Sequence, residues 1–148
     1  MRVYLDVCCL SRPFDDRGQD RVRLESEAVL TIISHAQTSN WRLLTSEVVD
    51  IEISKIPDTD KKQKIVMLST VLQQSIAVDN NIEKRAFELE KMGFKPFDAM
   101  HIACAEKGKA DILLTTDDNF IRKALHTKDA LKITVKNPVI WLMEVLKK

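Results

Sequence analysis

Short apolar runs alternate along this chain with segments of helical periodicity, and two of those runs end in acid. Arg2-Val3-Tyr4-Leu5 meets Asp6, and Asp111-Ile112-Leu113-Leu114-Thr115-Thr116 meets Asp117 and Asp118. Runs this short and apolar read as strands buried on both faces of a parallel sheet, with the helices between them as crossovers. Residues that follow such strands gather at the carboxyl edge of the sheet, where open α/β folds place their chemistry. Carboxylates gathered there repel one another unless a cation lies between them, and hard Mg²⁺ or Mn²⁺ prefers oxygen donors of this kind.

The chain has 148 residues, 45% hydrophobic and 30% charged, which matches one compact domain over residues 1–148. At this size a domain buries ~70% of its unfolded surface. The opening strand reaches an acid too early for a signal peptide, and no apolar stretch approaches the ~20 residues of a membrane span. The expected location is therefore the cytoplasm, with no membrane partner. Cys8, Cys9 and Cys104 are odd in number and two are adjacent, against a disulfide framework or a tetrahedral zinc site, so they read as reduced core thiols. Lys and Arg number 23 against 22 Asp and Glu, a net charge of +1, so polyanion contact has to come from a local basic patch.

Three glycines and four prolines leave few breaks, and no linker or internal repeat is visible. The expected elements run in order: a strand at Val3 to Asp6, a polar loop at Ser11 to Gly18, and a helix carrying Val22, Leu24, Ala28, Val29, Ile32, Ile33 and Ala36 to about Thr38. A strand at Trp41 to Thr45 follows, then a helix capped by Ser46 that ends near Ile56 before Pro57. Next come a helix from Thr59 to Gln74, a short strand at Ser75 to Asp79, and a helix capped by Asn80 and closed by Gly93. Lys95-Pro96 opens the helix Phe97 to Lys107, and strands at Asp111 to Thr115 and Leu131 to Val135 flank a helix at Asn119 to Leu125. Pro138 to Lys148 reads as a terminal helix. The fold class is α/β: a central parallel sheet with helices on both faces, a three-layer α/β/α sandwich.

Which acids converge is the functional question. Asp6, read alone, is more often a turn residue capping the next segment. Glu52 shares a helical face with Val48, Val49 and Ile56, while Glu47 and Asp50 point elsewhere. An acid on an apolar face needs a metal, a cation or a proton, unless the helix is rolled to solvate it. Asp98 lies in the first turn of its helix, where the dipole favours negative charge, and simple capping explains the Asp but not its small, apolar neighbours. His101, on the same face, reads as a hydrogen-bonded core residue rather than a ligand. Of the pair after Thr115-Thr116, one is a helix cap; Asp117 is the first choice for a metal, with Asp118 as its outer partner or alternative.

Together these segments resemble the PIN-domain nucleases, the family that includes VapC-like toxin ribonucleases. The resemblance rests on the strand ending in Asp6, on Ser46-Glu47-Val48-Val49-Asp50-Ile51-Glu52, on Phe97-Asp98-Ala99-Met100-His101-Ile102-Ala103, and on Leu113-Leu114-Thr115-Thr116-Asp117-Asp118-Asn119-Phe120. It implies a PIN-like sandwich and matches Asp6, Glu52, Asp98 and Asp117 to the family's metal-binding, catalytic acids. Two positions depart from the pattern: Cys8 stands where the family usually carries a small polar residue, and Asn119 where it often carries a second acid.

The activity implied is Mg²⁺- or Mn²⁺-dependent endoribonuclease cleavage, with metal-activated water attacking a phosphodiester. Arg12, Arg17, Arg21 and Arg23, with Lys95 beside Asp98, are the candidate phosphate contacts; each reads equally as solvated surface charge. The partners implied are an RNA substrate, an antitoxin protein and a second copy of the chain. The helix from Arg21 to Thr38 and the stretch Val139 to Met143 serve either as an interface or as core. The alternative function is a non-catalytic PIN-like module that binds RNA or protein through the same groove, and Mn²⁺ titration separates the two.

Overall fold

Among the described residues the chain forms five strands, β1 (Arg2–Leu5), β2 (Arg42–Ser46), β3 (Gln74–Ile76), β4 (Ile112–Leu114) and β5 (Thr134–Lys136). Eight helices accompany them among the described residues: α1 (Val7–Ser11), α2 (Asp20–Thr38), α3 (Glu47–Ser54), α4 (Thr59–Ser69), α5 (Asn80–Lys91), α6 (Pro96–Lys107), α7 (Asp118–His126) and α8 (Pro138–Leu146). The computed structural model describes residues 1–147. The terminal helix expected to reach Lys148 is therefore followed to Leu146, and Lys148 lies outside the described residues.

All pairings are parallel, in the order β3-β2-β1-β4-β5, with Tyr4 opposite both Leu44 and Leu113. The chain steps from β1 outward through β2 to β3, then crosses back to β4 and β5. Right-handed crossovers consequently put α2, α3 and α4 on one face and α5, α6 and α7 on the other. The direction reverses between β1 and β4, and that switch point is the crevice where ligands bind in open α/β sheets. Asp6 and Asp117 follow these two strands.

Burial explains the strands. Val3, Tyr4 and Leu5 of β1 and Leu113 and Leu114 of β4 are fully buried, as central strands covered on both faces must be. In α8, Trp141 and Leu142 join the core while Ile140 and Met143 are exposed, so the stretch Val139 to Met143 is divided between core and surface.

Several boundaries differ from expectation, each for a local reason. Helix α1 follows Asp6 directly, because the Asp6 carboxylate accepts the Val7 N–H at 2.6 Å and caps it. Strand β3 spans Gln74–Ile76, where it pairs with Leu44 to Ser46, instead of Ser75 to Asp79. Asp79, not Asn80, caps α5: its backbone is extended and its carboxylate accepts the Ile82 N–H at 2.9 Å. Gly93 closes that helix at φ +105°, a conformation costly for any residue with a Cβ.

Candidate metal centre

Three helix starts and one helix end bring the acids together. Asp6 caps α1 through Oδ1, while its Oδ2 accepts the Thr115 hydroxyl at 2.9 Å and the Cys8 thiol at 3.5 Å. Asp117 caps α7, Oδ1 accepting the N–H groups of Asn119 at 2.9 Å and Phe120 at 3.2 Å. Both cap through Oδ1, so capping leaves Oδ2 of each available and does not compete with a role in a site. Asp98 stands in the first turn of α6, opened by Pro96, and Glu52 in the second half of α3.

His101 joins two of the acids. Its Nε2 hydrogen-bonds Glu52 Oε1 and lies 3.3 Å from Asp6 Oδ1, and one ligand atom from each of Asp6, Glu52 and His101 falls within 4.8 Å of the others. On its other side Nδ1 meets the Tyr4 hydroxyl at 2.7 Å, and that hydroxyl lies 2.7 Å from Ser46 Oγ, which caps α3 by accepting the Val49 N–H. Burial by itself would lower the imidazole pKa, but Asp6 and the Glu52 hydrogen bond outweigh it and raise the value above the ordinary 6.5. When protonated, the ring donates from both nitrogens, to Glu52 and to Tyr4, and Tyr4 then donates to Ser46.

The remaining charge is not balanced in this way. The Asp98 carboxyl is pushed up to about 6, first by burial and then by the negative charges of Asp6 and Asp117; His101 and Lys95 offset this only in part. A carboxyl raised by its acidic neighbours lacks positive charge nearby, and a divalent ion supplies that charge. The acids expected from the sequence to hold a metal, Asp6, Glu52, Asp98 and Asp117, offer carboxylate oxygens, which suit Mg²⁺ or Mn²⁺; the group whose ligand atoms lie within 4.8 Å of one another among the described residues is Asp6, Glu52 and His101. The chain's residues fit such an ion.

Asp118 is turned elsewhere. It is exposed and paired through both oxygens with Arg21, at 2.7 Å each. Arg21 also reaches Glu25, and Arg12 pairs with Asp15 and Glu25, so both guanidinium groups are neutralised within the chain. Arg23 lies along α2 near Asp20 and Glu27 at 3.5 and 3.7 Å. Arg17 and Lys95 are exposed, Lys95 at the start of α6 one turn from Asp98. A separate groove of about 890 Å³ along the free edge of β5, lined by Leu24, Ile121, Leu131 and Val139 among others, meets this region only at Arg21, Glu25 and Asp118. Its lining is mostly apolar and also includes Lys128, Lys132 and Lys136.

Four contributors escape a sequence reading: Tyr4, Thr115, Cys8 as a thiol bridging Thr115 and Asp6, and Glu25. Cys8, standing where the resembled family usually carries a small polar residue, gave one signal, and Glu25 gave another. It sits on the apolar face of α2 with Val22, Ala28, Val29 and Ile32, the same pattern that singles out Glu52. Cys8 Sγ accepts the Thr116 N–H at 3.3 Å, taking the polar role that its position requires. All three cysteines are free.

A PIN domain family model matches residues 3–125 of the chain. Among solved structures, the chain is similar to VapBC2 from Rickettsia felis, bound in that structure to a DNA fragment from its promoter (17% identity, TM-score 0.60, 93% of this chain and 98% of that one). It is similar also to VapBC-1 from nontypeable Haemophilus influenzae (14%, TM-score 0.59, 93% and 98%) and to FitAcB from Neisseria gonorrhoeae (15%, TM-score 0.54, 92% and 97%). No curated protein sequence matches it.

Proposed function

The chain belongs to the PIN domain family, and on that premise we propose that it is a Mg²⁺- or Mn²⁺-dependent endoribonuclease, the toxin of a toxin-antitoxin pair. The observation that carries the reading is the charge imbalance at the β1/β4 switch point, where burial and the charges of Asp6 and Asp117 raise Asp98 to about 6. Asp6, Glu52, Asp98 and Asp117 would hold the ion. Once bound, it would supply charge for the phosphodiester and acidify a water for in-line attack.

The chain's own residues orient that site. Thr115 donates to Asp6 Oδ2, and the Asn119 and Phe120 amides hold Asp117 Oδ1, so each carboxylate keeps a fixed rotamer. His101 fastens Glu52 at Nε2 and is itself fastened at Nδ1 by Tyr4. Arg17 and Lys95 are the exposed cations left for substrate phosphates, because Arg12 and Arg21 are occupied by acids. An RNA substrate, an antitoxin partner and a second copy of the chain complete the proposal; of these, the antitoxin partner is the one that the likeness to VapBC structures supports.

Asp98→Asn tests it. With the fold verified by circular dichroism, the variant should lose Mn²⁺-dependent cleavage of RNA by about 100-fold or more, the scale on which removing one electrostatic catalytic group acts. Wild-type activity in this variant removes Asp98 from the reaction. Induced expression in a bacterial host should arrest growth for the wild type and not for Asp98→Asn.

No helix among the described residues is long and apolar enough to cross a membrane.

A further inference from the structure

Glu25 lies on the apolar face of α2 with its side chain 2% exposed. A carboxylate so buried needs partners, and it has three: Arg12 Nε at 2.8 Å, Arg21 Nε at 3.1 Å and Asn137 Nδ2 at 2.6 Å. Arg21, anchored at Nε, sends its two terminal nitrogens to the turn after β4. Nη1 donates to Asp118 Oδ2 at 2.7 Å; Nη2 donates to Asp118 Oδ1 at 2.7 Å and to the Thr116 carbonyl at 3.1 Å. The residue between these contacts is Asp117.

An exposed ion pair by itself contributes little. This one is different in geometry: a planar fork fixed at one end by a buried acid grips the other end bidentately, so few rotamers remain to be lost. It ties α2 to a turn 97 residues away along the chain. The Asp117 backbone is thereby held on both flanks, and its carboxylate is the one whose charge, with that of Asp6, raises Asp98.

We propose that Arg21 is a positioning residue of the metal pocket: anchored on Glu25, it grips Thr116 and Asp118 and so sets the turn that presents Asp117. The role rests on the reading of Asp117 as a metal-binding acid. It also reassigns Arg21, a cation of the kind expected to contact phosphate, to a task inside the protein.

Calorimetric titration with Mn²⁺ tests the proposal, because the readout is ion affinity and not turnover. Arg21→Met keeps the apolar stem and deletes the fork; it should bind Mn²⁺ about 10-fold more weakly than wild type, the low end of the effect of outer partners on metal affinity. Arg21→Lys should fall between, since an ammonium cannot grip three oxygens in this geometry. The double variant Arg21→Met/Asp118→Asn should lose no more than Arg21→Met alone. A folded Arg21→Met with wild-type affinity overturns the proposal, and so does an additive loss in the double variant, which would make Asp118 act independently of Arg21. Should Arg21→Met fail to fold, Arg21→Lys, Asp118→Asn and their double variant carry the same comparison with the same outcomes. A wild-type chain that binds no Mn²⁺ overturns the metal reading and this proposal with it; a wild type that binds and a variant that binds equally overturn the proposal alone.

Discussion

Asp98 gathers the pocket's electrostatic cost into one side chain. Its carboxyl titrates near 6 instead of the ordinary 3.8, through burial first and its acidic neighbours second. Between those values the folded chain holds a proton that the unfolded chain has released, so folding stability falls as pH rises through that window. Asp98→Asn cannot ionise and escapes the loss. In EDTA, the denaturation midpoints of the two proteins should diverge as pH climbs from about 4 to about 6.5, with Asp98→Asn the more stable at the upper end; parallel curves would remove the cost assigned to Asp98. His101 acts in a later window. Its folded pKa lies above 6.5, so its pairing with Asp6 and Glu52 stabilises fully below 6.5 and is lost as pH rises through the folded value. Single residues were readable from sequence when their oddity was local. Glu52 on an apolar face could be found in this way, and Glu25 by the same argument; the Arg21 grip on Asp118 could not, because it joins positions that only the fold makes neighbours.

At the scale of elements, α3 and α6 are registered against the sheet by a buried polar thread: Ser46, Tyr4, His101, Glu52. Tyr4→Phe removes the middle link while preserving the ring, leaving Ser46 Oγ and His101 Nδ1 in the core with one partner fewer. The cost should be about 1–3 kcal/mol by urea denaturation, the penalty of an unmet buried polar group. Loss of less than a few tenths would mean that the thread contributes no net stability. The opposite change is available at Ser26, whose buried hydroxyl has no hydrogen-bond partner among the described residues: Ser26→Ala should be neutral or stabilising by up to about 1 kcal/mol. The same distinction explains which elements sequence reveals. Ser46 as a cap, Pro96 as a helix start and Gly93 as a stop were legible because capping is decided within one turn. The α4 end and the β3 start were not, because a three-residue strand is defined by its pairing with Leu44 to Ser46 across the sheet. Helix α1 escaped notice because five residues offer too few turns for periodicity to show.

The molecule as a whole converts a property of its topology into a dependence on ligand. Parallel order β3-β2-β1-β4-β5 reverses direction between β1 and β4, and the acids that follow those strands meet there whether or not their charge is compensated. This much was foreseeable from alternating strand and helix patterns, since a doubly wound sheet has one such crevice. The helices that bring Glu52 and Asp98 were named from the sequence as well; their packing, α3 and α6 against β2 and against each other, was not, because it joins segments far apart in the chain. The chain carries a net charge of +1, so no global excess of positive charge offsets the local negative cluster. An ion that binds the folded cluster and not the unfolded chain must then stabilise the fold by mass action. At a free Mn²⁺ concentration 100 times the dissociation constant, the gain is about 2.7 kcal/mol, or roughly 5–11 °C in the melting temperature for a domain of this size. Differential scanning fluorimetry in Mn²⁺ against EDTA reads the shift directly, with Ca²⁺ and matched ionic strength as controls for screening. Asp98→Asn should melt higher than wild type in EDTA at pH 7.5 and gain much less from Mn²⁺, so that the two curves approach or cross as the ion is added. A shift of equal size in both proteins would place the stabilising ion outside the β1/β4 crevice.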